Sequence, residues 1–453
     1  MMKRLFYASL ALVALLVAAY RISCKAPSTA LTQSEQVQKI FEDGGCLSCH
    51  SAEPALPFYA SFPVIGKVVK ADSQNGYRLF NIAPLMEALA NGATLNPVDV
   101  AKVEKAALDG DMPMAKYFLV HWGSQMTDSK ADVVATWAAD WRESYYNDGI
   151  GGEPIRPIAQ SLEYDTAKAE LGRKLYHDTR LSINNTVSCA SCHSLNTAGV
   201  DNKQYSEGVY GQFGGVNAPT VYNAVYNFVQ FWDGRAATLA HQAAGPPLNP
   251  VEMGYESFDQ IVAKLSKDKA FTREFKKVYP DGWSEANITD AIAQFERTLI
   301  TPNSRFDKYL NGDAEAITTE ELEGYNLFKK YNCATCHVGA NLGGESYELM
   351  GQYADYFADR GTELTVEDNG RFKETALERD RHRFKVPGLR NVALTAPYLH
   401  DGTEPELKEA VCKMGTYQVG VALTDSEEEL IVAFLKTLTG EHNGVLLTND
   451  NLK

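Results

Sequence analysis

Three copies of one pentapeptide constrain this chain more than any other feature: Cys46-Leu47-Ser48-Cys49-His50, Cys189-Ala190-Ser191-Cys192-His193 and Cys333-Ala334-Thr335-Cys336-His337. Two thiols three positions apart reach the two vinyl groups of one porphyrin as thioethers, and the adjacent His stays on the same side to ligate the iron. Each copy therefore reads as a c-type haem attachment site. Zinc ribbons, redox pairs and disulfides would use the same cysteines, but none of them needs a His after every pair, and the chain has only nine His in 453 residues. Three covalently bound c-type haems are expected.

The first cysteines of the motifs lie 143 and 144 residues apart, a domain-length repeat and not a solenoid period. Each motif follows a short amphipathic helix, read from Ser34 to Phe41, Ala167 to Tyr176 and Glu320 to Phe328, the last capped by Thr318 with Glu321 at the capping-box position. The outer domains also end in helices, one with Val133, Trp137 and Trp141 on a face, the other with Leu430, Phe434 and Leu438 before Gly440. Helix, haem motif, loops and closing helix is the plan of a small cytochrome c. Strand signals are few. The expected fold is mostly α: three cytochrome c-like haem domains in tandem after an N-terminal membrane anchor. The segments are 1–25 (anchor or signal), 30–150, 155–310 and 315–453. Gly151-Gly152-Glu153-Pro154 and Pro157 read as the first linker, and Thr301-Pro302 to Ala314 as the second.

A basic start, Met1 to Arg4, precedes sixteen uncharged residues from Leu5 to Tyr20 and then Arg21, which is an export element. Sixteen residues fall short of the roughly twenty that span a bilayer core, but Ile22 and snorkelling of Arg21 make up part of the deficit, so a retained anchor is expected. A signal peptide cut near Val17-Ala18-Ala19 and a lipidated Cys24 are the alternatives. The location that follows is the bacterial inner membrane, with the catalytic part in the periplasm. Lys and Arg number 43 against 58 Asp and Glu, a net charge of −15. A chain this acidic repels a phosphate backbone, and no local basic patch offsets that, so no nucleic-acid partner is expected.

From Leu171-Gly172-Arg173-Lys174-Leu175-Tyr176 to the carboxyl end, the chain resembles the bacterial di-haem cytochrome c peroxidases, a family whose other branch is the MauG-like proteins. The added N-terminal haem domain and anchor resemble the tri-haem, membrane-bound quinol peroxidases of that family. The resemblance implies that Met414, in Val411-Cys412-Lys413-Met414-Gly415, lies opposite His337 at the electron-transferring haem, where MauG-like proteins place a Tyr. A thioether there raises the potential and blocks peroxide. The run Asn217-Ala218-Pro219-Thr220, then Gln230-Phe231-Trp232-Asp233-Gly234-Arg235-Ala236, Gln242 and Glu252 is similar to the peroxidatic half. By that likeness Glu252 shuttles the proton between the peroxide oxygens, Gln242 hydrogen-bonds the peroxide, and Trp232 bridges the two core haems.

One departure from the family stands out. In many relatives a mobile loop His caps the peroxidatic haem at rest; the equivalent loop, Ser206 to Gly214, has Val209 at that place and no His. The resting iron opposite His193 is then expected to be five-coordinate or water-ligated. Asn217, Thr395 and Pro397 match positions that hold calcium through one amide oxygen and two backbone carbonyls, and an oxygen-only, low-charge set suits that ion. For the first haem, below which lies His50, Met112 in Asp111-Met112-Pro113-Met114 is the expected opposite ligand, with Met114 and His121 as rivals. His177, His241, His382, His400 and His442 are left as structural or surface residues.

These expectations describe a haem peroxidase that reduces hydrogen peroxide to water. Its electrons come from membrane quinol through the first and third haems. A peroxidase fed by a small soluble cytochrome c, a pure multihaem electron carrier and a MauG-like protein oxidant are the alternatives. A homodimer is compatible with all of them.

Overall fold

A computed structural model describes residues 2–118 and 121–450, except for the side chains of residues 2–5 and 8. The chain is mostly helical and divides into two compact units, Met1–Pro154 and Ile155–Lys453.

The first unit opens with the helix Met2–Ser23, on which Phe6, Leu10, Leu15 and Ile22 are all exposed. Part of the expected 1–25 anchor lies outside the described residues. Among the described residues, no helix is long and apolar enough to cross a membrane. Cys24 is buried and its thiol donates to the Trp122 carbonyl at 2.8 Å. The helix Gln33–Gly44 begins in a full capping box between Thr32 and Glu35 and stops at Gly45, whose φ of 65° a Cβ would disfavour. It packs with Ala83–Asn91, Pro97–Asp109 and Asp128–Tyr146 around Val37, Ile40, Phe41, Leu85, Val100 and Trp137. The buried stripe of the last helix runs through Val134, Trp137 and Ala138, with the expected Val133 and Trp141 half-buried at its margin. Arg142 clamps that helix to Pro97–Asp109 through two 2.7 Å bonds to Glu104.

The second unit contains two crossed helix pairs. Thr166–Tyr176 crosses Glu285–Glu296, and Thr319–Lys330 crosses Asp425–Lys436. The first pair sits in a core built on Leu171, Leu175, Ile261, Phe275, Ile288 and Ile292; the second in one built on Phe306, Tyr325, Phe328, Ile431 and Phe434. Short antiparallel strands, Tyr347–Leu349 and Arg383–Lys385, add the main sheet element.

Thr301 to Ala314, expected as the second linker, is buried over its first half and carries the helix Arg305–Leu310. The reason is polar satisfaction. The Thr301 hydroxyl accepts from Asn223 (2.7 Å) and Asn391 (3.0 Å), while Asp307 pairs with fully buried Arg390 at 2.7 Å. Arg390 also donates to the Arg156 carbonyl at 2.8 Å. A buried ion pair of this kind persists only with its remaining donors satisfied, and the donors and acceptors come from both halves of the unit. Two cores are thereby knitted into one compact body.

Candidate active site

All three motifs share one local geometry. A single helical turn closes from the His N–H to the first Cys carbonyl, at 2.9 Å for His50, 3.0 Å for His193 and 3.0 Å for His337. That turn puts both thiols and the imidazole on one side. The His50 Nδ1–H donates to the Phe80 carbonyl (3.0 Å) and the His337 Nδ1–H to the Leu342 carbonyl (2.8 Å), which leaves Nε2 of each as the free ligand atom. His193 differs. Its Nδ1 is buried with no hydrogen bond, although the Gly199 and Pro219 carbonyls face the ring. Burial lowers the pKa of all three rings, so they are neutral, as an iron ligand must be.

The thiols fit a covalent haem better than a thiolate cage. None is in a disulfide. Burial pushes Cys46 and Cys333 up to about 12 and Cys192 up to about 11, so these sulfurs are neutral in apolar surroundings. Among the described residues, no three His, Cys, Asp or Glu side chains converge as metal ligands. Paired neutral thiols beside a neutral His with one nitrogen oriented are the donor set that a c-type haem uses.

At the second motif, the chain places Glu252 on a turn organised by Asn249. The Asn249 carbonyl accepts from Glu252, Met253 and Gly254, and its amide donates to Glu252 Oε1 at 2.6 Å. Burial raises the Glu252 pKa, with Arg235 and Asn249 opposing in part. Glu252 is near enough to Cys189 and Cys192 for its charge to raise both thiols. Gln242, half-buried, lies on the short helix Leu239–Ala243 capped by Thr238. The Ser206–Gly214 loop is riveted to the Glu252 turn: the Val209 N–H donates to the Glu252 carbonyl at 2.9 Å, and a Cβ on Gly208 would lie 1.9 Å from the Val251 carbonyl oxygen. Val209 is fully buried in the core, whereas Tyr210 beside it is 71% exposed.

Trp232 joins this half of the unit to the next. Its indole N–H donates to the Asn217 carbonyl (2.9 Å), its own carbonyl accepts from the Lys385 N–H (2.7 Å), and its ring meets Phe384 and His400 edge-on. Met414 ends the helix Leu407–Met414 and packs, half-buried, in the same cluster with Trp232, Met350, Tyr356 and Phe384. Asn217, Thr395 and Pro397 belong to loops tied together by the Asn217 N–H to the His400 carbonyl (2.9 Å) and the Asn202 amide to the Ala396 carbonyl (2.7 Å). At the first motif, Met112 is exposed and Met114 half-buried. His121 is engaged at both nitrogens, by the Tyr117 carbonyl and the Tyr59 hydroxyl, each at 3.1 Å.

A buried network about His400 has no counterpart in the sequence analysis. His400 Nε2 meets Asp368 at 2.8 Å; Asp368 and Asp401 share Arg360, and Asp401 accepts from Tyr356 at 2.8 Å. Burial alone would raise Asp368, but donors from Arg360, His400 and the Thr365 N–H hold it far below the usual carboxylate range. These residues are dispersed between positions 356 and 401, and no local pattern marks them.

Comparison with known proteins agrees with this geometry. Residues 166–315 match the family model described as di-haem cytochrome c peroxidase, and residues 8–140 match a haem-binding domain. The chain is 46% identical over 418 residues to the cytochrome c peroxidase Ccp of Escherichia coli K12, covering 91% of this chain and 89% of that one. It is 47% identical over 292 residues to the cytochrome c551 peroxidase of Nitrosomonas europaea, covering 64% of this chain and 85% of that one. A solved MauG-like protein associated with microbial copper homeostasis superposes with a TM-score of 0.55 at 29% identity, over 64% of this chain and 94% of that one. The chain belongs to the di-haem cytochrome c peroxidase family. By that membership it is a haem-dependent peroxidase, an oxidoreductase.

Proposed function

We propose that this protein reduces hydrogen peroxide to water at the second motif. With haems attached, the first motif would take electrons from a membrane quinol, and Trp232 would bridge the third motif to the second. A c-type haem attached at each of the three motifs supplies the redox chemistry. The observation that carries the reading is the Glu252 turn. Asn249 holds Oε1, so Oε2 is left to accept a proton from the near oxygen of peroxide and return it to the far one. Gln242 orients the peroxide through its amide. Neutral His193 would hold the haem iron of this motif, and the loop with buried Val209 offers no imidazole to compete with peroxide. Met414 with His337 would hold the haem of the third motif, and Met112 with His50 that of the first; His121 would have to give up one of its two hydrogen bonds to take the place of Met112. Calcium held by Asn217 and the Thr395 and Pro397 carbonyls would brace the loops on which Trp232 rests.

The apolar side chains exposed along Met2–Ser23 support export and attachment at the periplasmic face of the inner membrane, although no described helix is long and apolar enough to cross it. The test is peroxide-dependent oxidation of quinol by membranes that hold the protein, set beside the same assay with reduced cytochrome c. Turnover with quinol is expected; turnover with the soluble donor alone would replace this reading. That second reading has its own support in the relative named cytochrome c551 peroxidase. An electron carrier without catalysis would show low-spin iron throughout and no peroxide consumption.

A further inference from the structure

Each haem carries two propionate carboxylates into the protein, and a carboxylate taken out of water needs a counter-charge. The second unit holds a buried cation with no counter-charge of its own. Lys385, on the strand Arg383–Lys385, is only 5% exposed. Among the described residues, no side chain or carbonyl meets its ammonium, and burial pushes its pKa down to about 8 with no carboxylate opposing. Other buried cations of the unit are answered: Arg390 by Asp307 at 2.7 Å, and Arg383 by the Tyr347 and Arg379 carbonyls at 3.2 and 3.0 Å. A largely buried lysine without a counter-charge is unfavourable, so a fold that keeps one implies an anionic partner from outside the polypeptide.

The position of Lys385 indicates what that partner is. Its N–H is bonded to the Trp232 carbonyl, and its cross-strand neighbour Tyr347 donates from its hydroxyl to the Gly234 carbonyl at 3.3 Å. Two residues further along, the Pro387 carbonyl faces the His337 ring and would lie 2.2 Å from a Cβ on Gly343. Lys385 thus stands between the Trp232 segment and the wall of the His337 site. We propose that Lys385 is the counter-ion of a haem propionate in the second unit, and that this pairing raises the reduction potential of that haem. The proposal rests on haem attachment at the motifs and is independent of the peroxidase chemistry and the donor.

The test is spectroelectrochemical titration of the full haem-loaded chain and of K385M, K385Q and K385R, with haem content measured first. Removing the positive charge favours oxidised iron. In K385M and K385Q one haem of the second unit is expected to shift its redox equilibrium by about tenfold, or about 59 mV downward for one electron, while K385R stays within about twofold of the parent. A shift at the haem of His337 or at that of His193 supports the pairing and identifies the propionate. Unchanged potentials, or a shift confined to the haem of His50, overturn it. Should K385M and K385Q lose haem, retention by K385R supports the charge role; loss in K385R too reveals a packing role and overturns the proposal.

Discussion

At the scale of single residues, half-buried Glu252 and buried Glu296 are acids with opposite degrees of support. Glu252→Gln removes the proposed proton carrier and is expected to lower peroxide turnover by about 10²–10⁴-fold with haem content unchanged, read by steady-state kinetics. Because burial raises this carboxyl, the parent loses activity as pH falls through a pKa above the ordinary carboxylate range; E252Q lacks that limb in its kcat/KM profile. Glu296 is fully buried, one oxygen has no hydrogen bond, and desolvation pushes it up to about 8. Between the unfolded value near 4.5 and about 8, the folded state holds a proton that the unfolded chain has released. Stability therefore falls as pH rises through that window. E296Q is expected to remove this fall, a difference on the order of a few kcal/mol at pH 8 by chemical denaturation. The six motif cysteines and Glu252 are legible in the sequence because short spacing or family resemblance marks them. Glu296 looks like any helical glutamate until its neighbours are known.

At the scale of elements, the two helix crossings of the second unit depend on one glycine each. A Cβ on Gly172 would lie 1.8 Å from the Ala291 carbonyl oxygen, and one on Gly324 would lie 1.9 Å from that of Leu430. Neither carbonyl can retreat without breaking its helix. Gly172→Ala and Gly324→Ala are each expected to destabilise the fold by about 1–3 kcal/mol or more, with lowered thermal midpoints and poorer haem incorporation. The N-terminal members of these pairs are legible from their apolar spacing, and Thr319–Lys330 also from its Thr318 cap. The closing helix Glu285–Glu296 has an apolar stripe of its own, Ile288, Ile292 and Phe295, but the close approach to Gly172 is made at Ala291, a small residue that leaves little hydropathic mark. Closing helices at the end of each outer domain are marked by larger side chains, although burial selects Ile431 over Leu430.

For the whole molecule, the division into Met1–Pro154 and Ile155–Lys453 falls at the glycine-rich stretch read as the first linker. Asn147, Asp148 and Gly149 just before it are exposed. Limited proteolysis is expected to cut first near these residues and to release a fragment that carries the second and third motifs and still consumes peroxide with an artificial donor. An early cut within 301–307 would contradict the buried hydrogen bonds there. By itself the sequence determined the cofactor chemistry and the mostly helical class, since a thiol pair with its adjacent His, a cap and an apolar stripe each lie within a few positions. Only the tertiary structure decided that the expected second linker is core, that the Val209 loop is bonded to the Glu252 turn, that Asp368, Arg360, Asp401 and His400 form one network, and that Lys385 has no counter-charge. Burial and charge compensation are properties of neighbours in space, and these neighbours are brought together from distant parts of the chain.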